Sequence, residues 1–114
     1  MMRSTIWFVY ILRLADETLY TGMTSDLRKR FLEHYYGKGA QYVKRDGKRP
    51  FRMYIVGEFN DMVNAKKFER ILKNRSSRSR WKLIAMATDE KKEFEFDIET
   101  QIKLLREEKE VLTA

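Results

Sequence analysis

Ile6-Trp7-Phe8-Val9-Tyr10-Ile11-Leu12-Arg13, followed shortly by Tyr20-Thr21-Gly22, decides how this chain reads. The first run is built of β-branched, aromatic and aliphatic side chains, the composition of a strand. Strand alternation puts Trp7, Val9 and Ile11 on one face and Phe8, Tyr10 and Leu12 on the other. Ala15-Asp16-Glu17 is a polar turn, and Thr18 to Gly22 reads as a second strand. So short a connection folds the pair into an antiparallel hairpin, which stands Tyr10 and Tyr20 on neighbouring strands.

Outward from the hairpin, Thr24 or Ser25 offers an N-cap with Asp26 in the first turn, and Leu27, Phe31 and Tyr35 follow at helical spacing. That helix runs to about Tyr36, where Gly37-Lys38-Gly39 ends it. A polar, basic loop over 40–50 closes on Pro50, and Phe51 to Phe59 alternates as a third strand. Asn60 or Asp61 caps the next helix, whose apolar stripe is Met62, Ala65, Phe68 and Leu72, with Ile71 at its margin. Ser76 and Ser77 break the pattern before a helix over about 78–87. Residues 88–96 are a charged connector, and 97–112 form an amphipathic helix with Ile98, Ile102, Leu105 and Leu112 along one side. The expected architecture is α/β, or α+β: one domain over 1–87 with a small sheet, then the segment 88–114.

The 114 residues, 43% of them hydrophobic, provide for one modest core. The absence of cysteine excludes disulfides and cysteine-ligated zinc. No run reaches the roughly 20 apolar residues of a membrane span. Met1 to Tyr10 lacks the layout of a cleavable signal, so a cytoplasmic location is expected. The net charge of +7 is unevenly spread. Residues 88–114 carry nine acidic and five basic side chains, a net of −4, which leaves +11 on residues 1–87. A field of that strength draws polyanions, and nucleic acid is the commonest in a cell.

Phe8-Val9-Tyr10, then Tyr20-Thr21-Gly22-Met23-Thr24-Ser25-Asp26-Leu27, then Arg30 and His34 on one helix, Gly37-Lys38-Gly39-Ala40, and Glu69 on a later helix form an ordered set. In order and spacing it resembles the GIY-YIG nuclease superfamily, in its small single-domain bacterial-type branch. The resemblance implies a three-stranded antiparallel sheet flanked by helices, to which this chain adds a C-terminal helix. It also implies phosphodiester hydrolysis with one divalent metal ion, Mg²⁺ or Mn²⁺. Tyr10 and Tyr20 match the two motif tyrosines, Arg30 the helix arginine, His34 a histidine often found in these nucleases, and Glu69 the metal-binding acid. Phe8-Val9-Tyr10 departs from the family's Gly-Ile-Tyr but keeps the phenol.

The residue types suit that chemistry. Hydrolysis needs an activated water, charge stabilisation on the phosphate and help for the leaving oxygen. A single carboxylate with several waters is an ordinary way to hold Mg²⁺. Arg30 supplies a planar fork of donors for phosphate. Arg30 and His34 share a helix face, being four residues apart. Tyr10 is assigned as the base or water activator, although a phenol is a poor base at its free pKa of about 10. Each residue alone has a plainer reading: a half-buried strand tyrosine, a surface arginine, a satisfied histidine, and a Glu69–Lys73 pair on the helix surface. Their joint occurrence favours the nuclease.

Two basic groups are expected to bind the nucleic-acid backbone: Lys38, Lys44, Arg45, Lys48 and Arg49 around the middle loop, and Arg75, Arg78 and Arg80 with Trp81 nearby. The expected substrate is DNA before RNA, taken with weak or structure-based specificity. The protein is expected as a monomer, or as a homodimer through the C-terminal helix. The competing readings are a non-catalytic nucleic-acid-binding module and an interaction adaptor acting through that helix.

Overall fold

The computed structural model describes residues 5–36, 50–89 and 93–94. Three strands, β1 (Trp7–Leu14), β2 (Leu19–Thr24) and β3 (Pro50–Phe59), lie with β1 in the middle, antiparallel to both neighbours. A two-residue β4 (Glu93–Phe94) extends the far edge by pairing with Met53 and Tyr54, giving the order β2-β1-β3-β4. It lies within the segment read as a connector. The helices are α1 (Leu27–Tyr35), α2 (Met62–Lys73) and α3 (Ser77–Asp89). The amphipathic helix expected over 97–112 and any dimer built on it lie outside the described residues.

Alternation on β1 sorts the core onto two faces. Tyr10, Leu12 and Leu14 join Met53 of β3 and Phe31 of α1 on one face. Val9 and Ile11 point to the other, where they meet Ala65 and Leu72 of α2 and Ile84 and Ala87 of α3. The α1 helix has only nine residues. Isolated helices below ~12–15 residues are marginal in water. Burying a side chain such as Phe31 contributes about 1.5–3 kcal/mol. Packing on the sheet therefore holds α1 in place more than its own propensity does.

Local chemistry fixes the helix starts. Asp26, expected in the first turn, is itself the N-cap of α1: its carboxylate accepts from the Lys29 amide at 3.1 Å. Neither Thr24 nor Ser25 is the cap. The Thr24 hydroxyl instead accepts from the Asp26 amide at 3.0 Å, closing the turn that leads into the helix. Asp61 caps α2 through the Asn64 amide at 2.8 Å. A cap of this kind contributes about 1 kcal/mol. Two members of the expected α2 stripe face water: Met62 is 48% exposed and Ile71 54%. Ala65 and Leu72 are buried, so the packed stripe is narrower than the apolar pattern.

The β1–β3 register slips between Val9 and Tyr10, where Val9 pairs with Gly57 but Tyr10 pairs with Ile55. Val56 is the extra residue of this bulge. Before it, Met53 packs on the α1 face; after it, Phe59 packs on the α2 side. Bulges add local twist and re-aim neighbouring side chains. This one sits beside Tyr10.

Candidate active site

Tyr10 arises from the central strand and is 1% exposed. Its partner across the hairpin is Gly22. A Cβ at Gly22 would come within 2.5 Å of the Tyr10 hydroxyl and 2.7 Å of the ring carbon that bears it. The glycine is thus the seat over which the phenol lies, and any side chain would displace the ring. The phenol oxygen is 2.8 Å from Nε2 of His34, one turn beyond Arg30 on α1. Arg30 pairs with Glu33 at 3.5 Å, and its charge also acts on the Tyr10 oxygen. The Tyr20 ring meets His34 edge-on, with centroids 5.3 Å apart. Tyr10, Tyr20, Arg30 and His34 therefore converge on one place, on the face covered by α1.

The electrostatics of this cluster follow from burial. Burial raises the Tyr10 phenol well above its ordinary value; Arg30 pulls the other way, and Tyr20 and Glu69 add to the rise. His34 is pushed down to about 4, by burial first and by the Arg30 charge second. At neutral pH the imidazole is uncharged and the phenol keeps its proton. His34 Nδ1 is buried without a partner. An orphaned buried polar atom costs about 1–3 kcal/mol, so its persistence asks for a reason.

Glu69 comes from α2, which packs on the opposite face, yet its charge is felt at Tyr10. Its side chain is 16% exposed and its carboxylate is bound by Lys73 at 2.8 Å, the i,i+4 pair that the sequence offered as its plain role. Lys73 also stands over the Tyr20 ring, 5.8 Å from its centroid. Among the described residues no group of three or more His, Cys, Asp or Glu gathers to hold a metal. A lone carboxylate completed by water suits Mg²⁺ or Mn²⁺, which keep much of their hydration, and does not suit zinc.

The nucleic-acid-binding candidates divide. Lys38, Lys44, Arg45, Lys48 and Arg49 lie outside the described residues. Arg75 and Arg78 are exposed, whereas Arg80 is half-buried and donates from Nη1 to Thr21 Oγ1 at 3.4 Å. Trp81 packs against the α3 side of the core and carries the Arg13 guanidinium 5.2 Å from its ring centroid. The seat provided by Gly22 was not singled out from sequence; the signal for it was the hairpin register, which pairs it with Tyr10. No helix of the described residues is long and apolar enough to cross a membrane.

A sheet edge that gathers two tyrosines, an arginine and a histidine, with the charge of Glu69 felt there from a second helix, defines a candidate phosphodiester site. The profile of the GIY-YIG catalytic domain matches residues 6–83, and the chain belongs to this family of nucleases. It is 37% identical over 84 residues to a UPF0213 protein of Enterobacter sp. (strain 638), which covers 74% of this chain and 80% of that relative. A UPF0213 protein of Streptococcus pyogenes serotype M5 is 39% identical over 84 residues, covering 74% and 88%. The solution NMR structure of a UPF0213 protein from Bacillus halodurans is 32% identical, with a TM-score of 0.41, over 71% of this chain and 84% of that one.

Proposed function

We propose that this protein is a divalent-metal-dependent endonuclease that hydrolyses phosphodiester bonds in nucleic acid, DNA before RNA, with weak or structure-based specificity. The observation that carries the reading is the Tyr10 oxygen, held 2.8 Å from a neutral, buried imidazole and within the field of Arg30. A phenol so buried is a poor base by itself. With its proton on Nδ1, His34 leaves the Nε2 lone pair facing the hydroxyl. Tyr10 then takes a proton from water as it passes its own to Nε2, and no free phenolate forms. The Arg30 fork binds the phosphate oxygens. That phosphate offsets the Arg30 charge, one of the two causes that hold His34 down, so the imidazole becomes more basic when substrate is present. The Tyr20 hydroxyl orients the water or the phosphate. Glu69 would hold the metal ion, and its carboxylate would then exchange Lys73 for that ion. When bound, a divalent ion would polarise the phosphate and take up charge on the leaving oxygen. We assign the activity to the cytoplasm.

The test is incubation of the purified protein with branched, single-stranded and duplex DNA and RNA, with Mg²⁺ or Mn²⁺, beside Glu69→Ala. Metal-dependent cutting that is lost in the variant is the expected result. Tight binding without cutting of any substrate would overturn the assignment in favour of a non-catalytic binder.

A further inference from the structure

The junction of α2 and α3 concentrates positive charge: Arg70, Lys73, Arg75, Arg78 and Arg80 fall within its turns. Among the described residues, Lys73 alone of these has a carboxylate partner, Glu69. Two of the five, from different helices, converge on one cleft. It measures about 310 Å³ and is lined by Leu19, Tyr20, Thr21, Lys73 and Arg80. A water takes up about 30 Å³ of the liquid, so the cleft has room for a tetrahedral anion with its waters.

The Arg80 guanidinium is only loosely spent here. Its bond to Thr21 is long, at 3.4 Å, and its Nε is buried with no partner. Two cations, the hydroxyl-bearing Tyr20 and Thr21, and no opposing carboxylate in the lining are the donor set for a phosphate. The cleft also adjoins the candidate active site, because Tyr20 lines it and meets His34 ring to ring at 5.3 Å. A nucleic-acid strand offers phosphates at a regular spacing, about 3.4 Å of helix axis apart in a duplex.

We propose that this cleft is a second phosphate subsite, which holds a phosphodiester of the same strand beside the one brought to Tyr10, and that Lys73 is shared between that phosphate and Glu69. The substrate class rests on the nuclease reading; the subsite itself is tested by binding alone. In the free protein Lys73 is committed to Glu69. A phosphate in the cleft draws Lys73 toward itself and leaves the carboxylate open for a metal ion. Occupancy by the strand and readiness of Glu69 are thereby linked through one ammonium group.

The experiment measures binding of a fluorescein-labelled branched DNA to the full chain by anisotropy in EDTA, over a range of salt. Arg80→Gln is expected to raise Kd at least fivefold and to lower the salt slope by about one. Lys66→Gln removes the same charge from an exposed position on α2 outside the cleft, and is expected to change Kd less than twofold. Equal losses in the two variants would overturn the subsite in favour of a diffuse field. Arg80→Lys should fall between Arg80→Gln and the parent, and melting curves report whether each variant folds. Should Arg80→Gln not fold, Lys73→Gln, at an exposed position, makes the same comparison. Sharing of Lys73 predicts that Glu69→Gln tightens metal-free binding about threefold, and does not do so in a Lys73→Gln background; an equal gain in both backgrounds, or none in either, refutes the sharing. The two readings fail separately. A protein that cuts nothing yet loses binding in Arg80→Gln keeps the subsite and loses the nuclease. One that cuts while Arg80→Gln binds like Lys66→Gln keeps the nuclease and loses the subsite.

Discussion

On the α1 face of the sheet the buried side chains include a hydrogen-bonded phenol and imidazole, Tyr10 and His34, beside Leu12, Leu14, Phe31 and Met53. On the α2–α3 face they are Val9, Ile11, Leu19, Ala65, Leu72, Ile84 and Ala87, with Tyr54 the one phenol among them and Thr21 the one aliphatic hydroxyl. Both faces exclude water and each leaves one nitrogen orphaned, His34 Nδ1 on the first and Arg80 Nε on the second, but only the first sets a phenol against an imidazole. Burial of the apolar kind is what a fold needs; burial of the other kind costs stability and is retained where it does something else. The same strand, β1, supplies both interiors by alternation. The phenol–imidazole pair thus occupies one face while the core clusters of the other keep their apolar packing.

Four changes break or sharpen that contrast. The largest effect is expected from removing the polar pair outright. Tyr10→Phe with His34→Leu should lower cutting by about 10³-fold, within the range that acid–base groups supply. Its stability should stay within about 1 kcal/mol of the parent, because both partners of the bond are replaced by apolar groups. Urea unfolding beside a cleavage assay measures both. A large loss of stability would mean that the pair is structural.

On the apolar face the signs reverse. Ile84→Ala removes a side chain that is 4% exposed, and should cost about 2–4 kcal/mol of stability. Cutting per folded molecule should stay within about twofold, scored below the melting temperature.

The third effect depends on pH. The folded pKa of His34, about 4, lies below its ordinary 6.5, so the folded state holds the imidazole neutral. Between those values the unfolded chain binds the extra proton, and stability falls as pH drops through that window. The contribution is on the order of 3 kcal/mol, complete above pH 6.5 and gone below about 4. Unfolding curves at pH 7 and pH 4.5 should show the Tyr10→Phe, His34→Leu double variant losing less stability than the parent.

The smallest change is Gly22→Ala. Its methyl would meet the Tyr10 ring, and relieving the clash should cost about 1–3 kcal/mol. Cutting should drop with it, because the ring that moves carries the reacting oxygen. A variant with full activity would show that the phenol has room to spare.

Much of this was legible beforehand, for identifiable reasons. Period-two alternation assigns Val9 and Ile11 to one face and Tyr10 and Leu12 to the other, because β1 is regular there. It fails on β3, where Met53, Tyr54, Ile55, Val56 and Phe59 are apolar in both phases, and only pairing with β1 reveals the bulge at Val56. Three consecutive residues able to cap, Thr24, Ser25 and Asp26, hid which of them caps α1. In the site, Tyr10, Tyr20, Arg30 and His34 were readable from motif order and helix spacing. The Glu69–Lys73 pair was readable as an i,i+4 contact. That Lys73 and Arg80 share a cleft was not, since Arg80 reaches Thr21 across 59 residues of sequence. Contacts of that range belong to the packing of α2 and α3 against the sheet edge and have no local signature.

Gly22 carries one further consequence. Tyr10 is rooted in the strand that is hydrogen-bonded on both sides, yet its oxygen ends over β2, beyond which the sheet has no neighbour among the described residues. The anchor stands where amide protons exchange slowest, while the working atom is delivered at the sheet's rim. Fraying of β2, the least expensive opening of such a sheet, would bare that oxygen without moving the backbone that aims it. On the nuclease reading, a substrate prying at the border of this protein would still find the Tyr10 oxygen where the centre put it.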